Sequence, residues 1–492
     1  MQYILSIDQS TQGTKAILAD DAGRIAARFD VAHRQWVDDN GWVEHDAEEI
    51  WRNVRLAAKG VIEKAGVDAG QIAGIGLSNQ RETCMAWNRT TGKPVYRAIV
   101  WQCGRAAEIC CALSARGLAD KVKEKTGMTL SPYFSAAKLA WILRHVPQAA
   151  TLQREGKLCC GTIDSWLVWN MTGGSVFATD YSNASRTQLF NIFNLQWDKE
   201  ICSWFQIAPE SLPEVRFSDA GFGQTDLCGL LPKPVPIHCV LGDSHAALFA
   251  QGCHQPGMVK ATYGTGSSIM MNIGGQPRRS KSVVTSLAWG IEGKVSYVLE
   301  GNINYTGAVM TWLKDDVGLI ASAKEAGTLA AQANPNDKTY LVPAFSGLGA
   351  PYWDSEASAV FYGMTRTSGR KELVRAAEES IAYQITDVVR AMEQDAGACI
   401  SELRADGGPT ADAYLMQFQA DMLDRPIAVS SAQELSALGA AYCAGIALGV
   451  YDKTQIFDVV RRSRYLPQME PGVRKEKYCG WQRAVLSALS GK

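Results

Sequence analysis

The chain asks for the same local structure twice. Near its start, the apolar stretch YILSI (3–7) gives way to the polar, flexible DQSTQGTK (8–15) and then to apolar AILAD (16–20). Two apolar runs of strand length around a short glycine-bearing polar segment specify a hairpin. The turn DDAG (20–23) and the alternating RIAARFDVA (24–32) add a third strand. Far downstream, GMVKATYGTGSSIMMNIGG (257–275) again sets two strands around a polar glycine turn. Between and after these hairpins lie helical and mixed segments. DAEEIWRNVRLAAKGVIEKAG (46–66) is predicted helical, with Asp46 as N-cap and acidic residues in the first turn. IAGIGLSNQRET (72–83) reads as a buried strand running out into a charged loop, and ELRADGGPTADAYLMQFQADML (402–423) as strand, glycine turn and helix. Strands alternating with helices at this spacing give an α/β fold. A length of 492 residues exceeds one core. Two domains of related architecture are expected, 1–247 and 248–492, although the halves share no visible identity.

Charge and cysteine usage narrow the partners. Lys+Arg (49) and Asp+Glu (50) nearly cancel, so neither nucleic acid nor an anionic membrane is expected to be held by bulk charge. The longest uncharged run, LSALGAAYCAGIALGVY (435–451), is too short and too rich in small residues for a membrane span. It reads as a buried helix that lets another backbone come close. The 13 cysteines form no CxxC, and two adjacent pairs, Cys110–Cys111 and Cys159–Cys160, fit neither a disulfide framework nor a zinc site. Reduced thiols in the cytoplasm are expected. MQYILSIDQST opens as a strand rather than as a secretion signal.

Three polar turns are candidates for anion binding. In DQSTQGTK the residues after Asp8 are Ser10, Thr11, Gln12, Gly13 and Thr14 among others, a run whose amides can form a concave nest. A carboxylate there makes sense if Asp8 holds Mg²⁺ through water; the alternative is an ordinary hairpin turn. YGTGSS (263–268) is a second such turn. DGGP (406–409) is a third, with helix N-terminal amides suited to a nucleotide. None matches the P-loop or the dinucleotide fingerprint. LGDSHAALFAQG (241–252) sets Asp243, Ser244 and His245 side by side. Three consecutive side chains diverge, so they do not form a hydrolytic triad. Asp243 is left as a lone carboxylate at a strand end that can reach a cleft, or as the N-cap of the following helix.

The chain resembles the FGGY family of carbohydrate kinases, and within it the glycerol kinase branch, along practically its whole length. The resemblance rests on IDQST (7–11), GWVEHD (41–46), NQRET (79–83), AIVWQCGR (98–105) and SPYF (131–134). It continues through DYSNASRT (180–187), TYGTGS (262–267), PAFSGLGAPYWD (343–354), ESIAYQ (379–384), DGG (406–408), LMQFQAD (415–421) and ALGAAYCAG (437–445). It implies two ribonuclease-H-like domains of the actin/Hsp70 ATPase type around an interdomain cleft. It implies transfer of the γ-phosphoryl of ATP, with Mg²⁺, to a primary hydroxyl of a small polyol or sugar. Asp243 matches the catalytic base. Arg81 and Glu82 match the pair that grips the polyol, and Trp101 and Tyr133 the pocket walls; a surface ion pair and core aromatics are the plain alternatives. Thr11, Gln12, Gly13, Lys15, Thr265, Gly307, Thr311, Gly408 and Asp412 match the nucleotide side, with Lys15 near the γ-phosphate. GWVEHD reads as a loop over the cleft mouth, or Trp42 as plain packing. A homodimer is expected from resemblance alone.

The departures from glycerol kinases fall in the acceptor pocket. Those enzymes have two glutamines where this chain has Ser244 and His245, and a phenylalanine where it has Ser268. Both changes make the site larger and more polar. The acceptor is then a four- or five-carbon polyol or ketose, or the chain is a divergent glycerol kinase whose neighbours compensate. GLLPKPVP (229–236) lacks the Gly/Arg loop that binds fructose bisphosphate in regulated members, so that control is not expected. The rival class is an actin/Hsp70-like ATP-binding switch, which needs no pocket like that of Arg81, Glu82, Trp101, Tyr133 and Asp243.

Overall fold

Both predicted hairpins form, each inside a large mixed sheet of the computed structural model, which describes residues 2–489. In the first sheet, Tyr3–Gln9 pairs antiparallel with Gly13–Ala19, and that strand antiparallel with Ile25–Ala32. On its other side Tyr3–Gln9 runs parallel to Ile72–Asn79, which runs parallel to Val235–Gly242. The short antiparallel Gln224–Thr225 closes that edge. The second sheet repeats the plan. Val259–Tyr263, Ser267–Gly274 and Lys294–Ile303 are successive antiparallel neighbours. Val259–Tyr263 is also parallel to Leu403–Asp406, itself parallel to Ile427–Ser430, and antiparallel Arg462–Tyr465 closes the edge. Apart from one added edge strand in the second sheet, Val284–Ile291 beside Lys294–Ile303, the lateral order is the same in both, so the duplicated architecture expected from the two hairpins is present.

Local sequence explains the elements. Tyr3–Gln9 is buried along its whole length, as a strand covered on both faces must be. One cover is the helix Ala47–Ala65, which begins where the Asp46 carboxylate accepts from the Glu48 and Glu49 amides. It stops at Gly66 in the left-handed region, φ 64°. Behind the second sheet lies the long helix Arg370–Ala396, whose Tyr383 ring stacks on Trp481 at 5.1 Å in that core. A smaller sheet of Gln35–Val37, Val43–His45, Ala98–Ile99, Cys84–Asn88 and Leu158–Thr162 flanks the first.

The uncharged run near the C-terminus becomes the helix Leu435–Ala447, and it packs on the first sheet rather than the second. Small residues make the approach possible. A Cβ on Gly439 would sit 2.5 Å from the carbonyl carbon of Ala246, and closer still to its oxygen. Across the same helix, Gly76 faces the backbone of Ala440 at 2.6 Å by the same measure. Ser6 Oγ donates to the Ala437 carbonyl at 2.7 Å, fixing the helix along the strand. The helix Asp243–Ala250 is thereby clamped between the parallel strands and Leu435–Ala447. Among the described residues no helix is long and apolar enough to cross a membrane.

Candidate active site

Three parallel strands end together. Gln9 pairs with Asn79, and Asn79 with Gly242, so the chain leaves the sheet at one edge three times. Ligands of open α/β sheets gather beyond such strand ends. Asp8, the loop Gln80–Arg81–Glu82 and Asp243 therefore converge. Glu82 adopts φ 60°, a left-handed conformation that costs a non-glycine residue about 1–2 kcal/mol. Ser135 Oγ holds it by donating to the Glu82 carbonyl at 3.0 Å.

Asp243 opens the helix Asp243–Ala250, but the N-cap position is Gly242, and no side chain caps the helix. The capping alternative thus fails. The Asp243 carboxylate instead accepts the Ser244 amide at 2.6 Å through Oδ1, the oxygen that also faces Arg81 Nε at 3.2 Å. Its side chain is 34% exposed, onto a cleft of about 420 Å³ that it shares with the turn Ser10–Lys15. Asp8 lies behind that turn, buried, with Ser78 Oγ donating to its Oδ1 at 2.7 Å. Burial pushes the Asp8 carboxyl up to about 6, against the pull of Lys15.

Arg81 and Glu82 are not a surface pair, and neither is the other's partner. Arg81 forms a bidentate pair with Glu300, Nη1 at 2.9 Å and Nη2 at 3.0 Å. Arg186 reaches the same acid through Nη1 at 2.9 Å and takes Glu82 through Nε at 2.5 Å. All four side chains are buried. Burial would raise the Glu300 carboxyl, but Arg186 and Arg81 outweigh it and hold it well below the carboxylate range. Gly242 makes room for this: a Cβ there would stand 2.7 Å from Arg81 Cγ. Beside the network sits His245, fully buried, with neither ring nitrogen hydrogen-bonded. Burial, and then Arg81, lower its pKa well below the usual imidazole value, so the ring is neutral. Ser268 Oγ is also buried without a partner. Its strand places it opposite Asn302, two residues along from the Met270–Glu300 pair, hence on the face of the sheet that carries Glu300.

The aromatic pair forms an edge-to-face contact, with Trp101 and Tyr133 centroids 5.5 Å apart. Trp101 Nε1 donates to Thr11 Oγ1 at 3.0 Å, tying the wall to the first polar turn. Trp42 is a packing residue: its ring meets Trp141 at 5.4 Å and Arg105 at 4.5 Å. Lys15 is engaged elsewhere, its Nζ 3.0 Å from Glu434, an acid that Arg28 also holds.

The second polar turn and Gly307 meet directly. The Gly307 amide donates to the Gly264 carbonyl at 2.9 Å and the Ala308 amide to that of Thr265 at 3.0 Å. Gly307 and Gly408 line a cavity of about 880 Å³, together with Gly327, Glu378 and Asp412. Thr265 and Thr311 are not part of its lining; Thr311 Oγ1 donates to the Gly307 carbonyl at 3.3 Å. The helix amides expected behind DGGP are not free. Gly408–Ala411 is a 3₁₀ turn, and the next helix, Ala413–Leu423, is capped by Asp412, which accepts from the Tyr414 and Leu415 amides. These two first-turn amides are therefore taken by the chain itself.

Family models of the N-terminal and C-terminal domains of FGGY carbohydrate kinases match residues 3–250 and 259–448. The chain belongs to the FGGY family of carbohydrate kinases. Glycerol kinase 1 of Thermotoga maritima is 48% identical over 491 residues, 99% of this chain and 100% of that protein. A glycerol kinase of Bacillus licheniformis is 44% identical over 494 residues, with both chains fully covered. Among solved structures, Plasmodium falciparum glycerol kinase with ADP superposes with TM-score 0.95 at 35% identity, covering 100% of this chain and 99% of that one. A xylulose kinase of Lactobacillus acidophilus shares the fold, with TM-score 0.88 at 22% identity over 99% and 97% of the two chains. The kinase is thus an ATP-dependent phosphotransferase whose acceptor is an alcohol group of a sugar or polyol. The actin/Hsp70-like switch without small-molecule phosphorylation falls away.

Sequence reasoning missed Arg186, Glu300 and Glu378 in this kinase. Glu300 left a signal, a single acid inside the otherwise apolar strand SYVLEG (296–301). A charge at a strand position destined for burial needs a counter-charge. Lys260, inside GMVKATYG (257–264), is the same kind of signal, and its buried Nζ donates to Thr262 Oγ1 at 3.0 Å.

Proposed function

We propose that this kinase moves the γ-phosphoryl of ATP onto a primary hydroxyl in the cleft between the two sheets, with Asp243 as the general base. The observation that carries the reading is the position of Asp243, between the buried Arg81–Glu300 pair and the open turn Ser10–Lys15. Its Oδ1 is fixed by the Ser244 amide and Arg81. The other carboxylate oxygen takes the proton as the hydroxyl oxygen bonds to the γ-phosphorus and the bond to the ADP oxygen breaks. Such a base contributes about 10²–10⁴ in rate, and the remainder comes from positioning and charge. Arg81 and Glu82 hold neighbouring hydroxyls, Arg81 donating and Glu82 accepting. Trp101 and Tyr133 cover the carbon chain. The turn residues Thr11, Gln12, Gly13 and Lys15, with Thr265, Gly307 and Thr311, surround the phosphates, and Gly408 and Asp412 the rest of the nucleotide. Asp8 suits a magnesium ion through water: it is a hard oxygen donor whose burial is relieved by a dication. Among the described residues no group of three or more His, Cys, Asp or Glu could hold a metal, so the nucleotide phosphates would supply the other ligands. When bound, magnesium neutralises phosphate charge. The division at 247/248, a homodimer and a cytoplasmic setting belong to the same proposal, the dimer being checked by light scattering.

The acceptor we propose is a four- or five-carbon polyol or ketose. His245 and Ser268 carry three buried polar atoms without partners. Each such atom costs about 1–3 kcal/mol unless a ligand satisfies it, and hydroxyls beyond a third carbon are the groups to do so. Ser244, short beside them, leaves the room. The second reading is glycerol, favoured by the 44–48% identity to glycerol kinases. Initial rates with glycerol, erythritol, the pentitols and ketopentoses decide. A C4 or C5 acceptor should give the highest kcat/KM, and glycerol far above the rest refutes the longer acceptor. Asp243→Asn should abolish acceptor-dependent ADP formation with any of them; retained turnover removes Asp243 from the mechanism.

A further inference from the structure

We propose that Glu378 is a specificity residue for the nucleotide, its carboxyl offering a donor and an acceptor side by side to the N1/N6 edge of adenine. This rests on reading the 880 Å³ cavity as the nucleotide site. Glu378 lies on the helix Arg370–Ala396, is only 2% exposed, and lines that cavity. Its Oε2 has no hydrogen-bond partner. A buried carboxyl oxygen left unpaired is costly, and nothing in the packing explains it. Two glycines, Gly327 and Gly408, also line the cavity and present bare backbone to it. Gly327 has no room for a side chain against Asp412, and Gly408 faces open space.

The charge state follows from the neighbours. Burial, and then the Asp412 carboxylate across the cavity, push Glu378 up to about 8. Lys324 and Tyr414 also line the cavity; Tyr414 donates to Glu379 at 2.8 Å, and Arg375, one turn back, is bound to the Asn334 carbonyl at 2.7 Å. None of these pairs with Glu378. At neutral pH the acid keeps its proton. A neutral carboxyl donates its O–H as a hydrogen bond to adenine N1 and accepts one from N6–H. Once ionised it has two acceptors only, which repel N1 and match the N1–H and N2–H groups of guanine instead.

The test uses the full-length enzyme with ATP and GTP between pH 6.5 and 9.5. From pH 7 to 9.5 the KM for ATP should rise at least about fivefold at constant kcat, while that for GTP does not rise. Glu378→Gln, which cannot ionise, should flatten the ATP profile. Glu378→Leu should keep its melting temperature and raise the KM for ATP at pH 7. A flat wild-type profile, or a leucine variant with wild-type KM for ATP, overturns the assignment. Gly408→Val fills the cavity without a backbone clash and should raise KM for both nucleotides. If it does not, the cavity is not the nucleotide site and the inference falls with that reading; if it does while Glu378→Leu is silent, only the role of Glu378 fails.

Discussion

Replacing Gly439 by alanine tests whether the proposed base, Asp243, is positioned by the clamp on its helix. The new methyl would lie 2.5 Å from the carbonyl carbon of Ala246, where ordinary contact begins at 3.4 Å. The atom it meets is backbone, so no side chain can swing away. The helices Leu435–Ala447 and Asp243–Ala250 must part by about 1 Å, and overpacking of that kind costs about 1–3 kcal/mol. Asp243 stands three residues before Ala246 on the displaced helix. A misplacement of about 1 Å can cost about 10²-fold in rate. We therefore expect Gly439→Ala to lower kcat by about 10²-fold with little change in KM for ATP, and to lower the melting temperature by several degrees. A coupled ADP assay and differential scanning calorimetry measure both. Gly472→Ala is the control, because a Cβ there meets nothing within 4 Å. A Gly439→Ala enzyme with wild-type kcat and stability would refute the clamp as the element that sets Asp243.

Glu300→Gln removes the acid shared by Arg81 and Arg186 and leaves buried positive charge unbalanced, a loss of about 3–5 kcal/mol; thermal unfolding should fall by about 10 °C, and kcat/KM for the acceptor with it. Asp164, buried and pushed up to about 7 by burial, tests the acid–base behaviour of the fold. The folded chain keeps this proton up to about pH 7, while the unfolded chain releases it near 3.8, so stability falls as pH rises between those values and then levels off. Asp164→Asn should reduce the loss of melting temperature between pH 5 and 8; an unchanged slope would show that Asp164 ionises in the native state. Asp8 and Asp387, each pushed up to about 6, act in the same sense and set the residual slope. Trp101→Phe removes the donor to Thr11 while keeping an aromatic wall, and should raise the KM for the acceptor severalfold at near-constant kcat.

What the sequence disclosed was local. A strand, a glycine turn and a second strand are specified within about twenty residues, so both hairpins and the duplicated sheets could be read directly. Asp8 and Asp243 were legible as carboxylates at strand ends, and the small residues of 435–451 announced a close approach without naming Ala246 as the neighbour. Glu300, on a strand of the second sheet, and Arg186, at the end of the short helix Tyr181–Ser185, acquire meaning only when these distant segments meet. Their partners, Arg81 and Glu82, are neighbours in the chain, and only the folded structure shows that a surface pair between them, the plain alternative, is replaced by buried partners from elsewhere. The helix amides behind DGGP pose a related difficulty: Asp412 takes those of Tyr414 and Leu415, and a cap is indistinguishable from a ligand-binding turn until the helix start is fixed.

Glu300 belongs to the second sheet and Arg81 to the loop that leaves the first, so the guanidinium is aimed only while the two sheets face each other. Pulled apart, Arg81 would lose its bidentate anchor and Asp243 the neighbour that orients it. With Asp243 as the proposed base, readiness to transfer a phosphoryl group is wired to apposition itself, and a lone water molecule arriving in a gaping cleft would find that carboxylate unaimed. Thrift with ATP is, on this view, a property of where one glutamate is rooted.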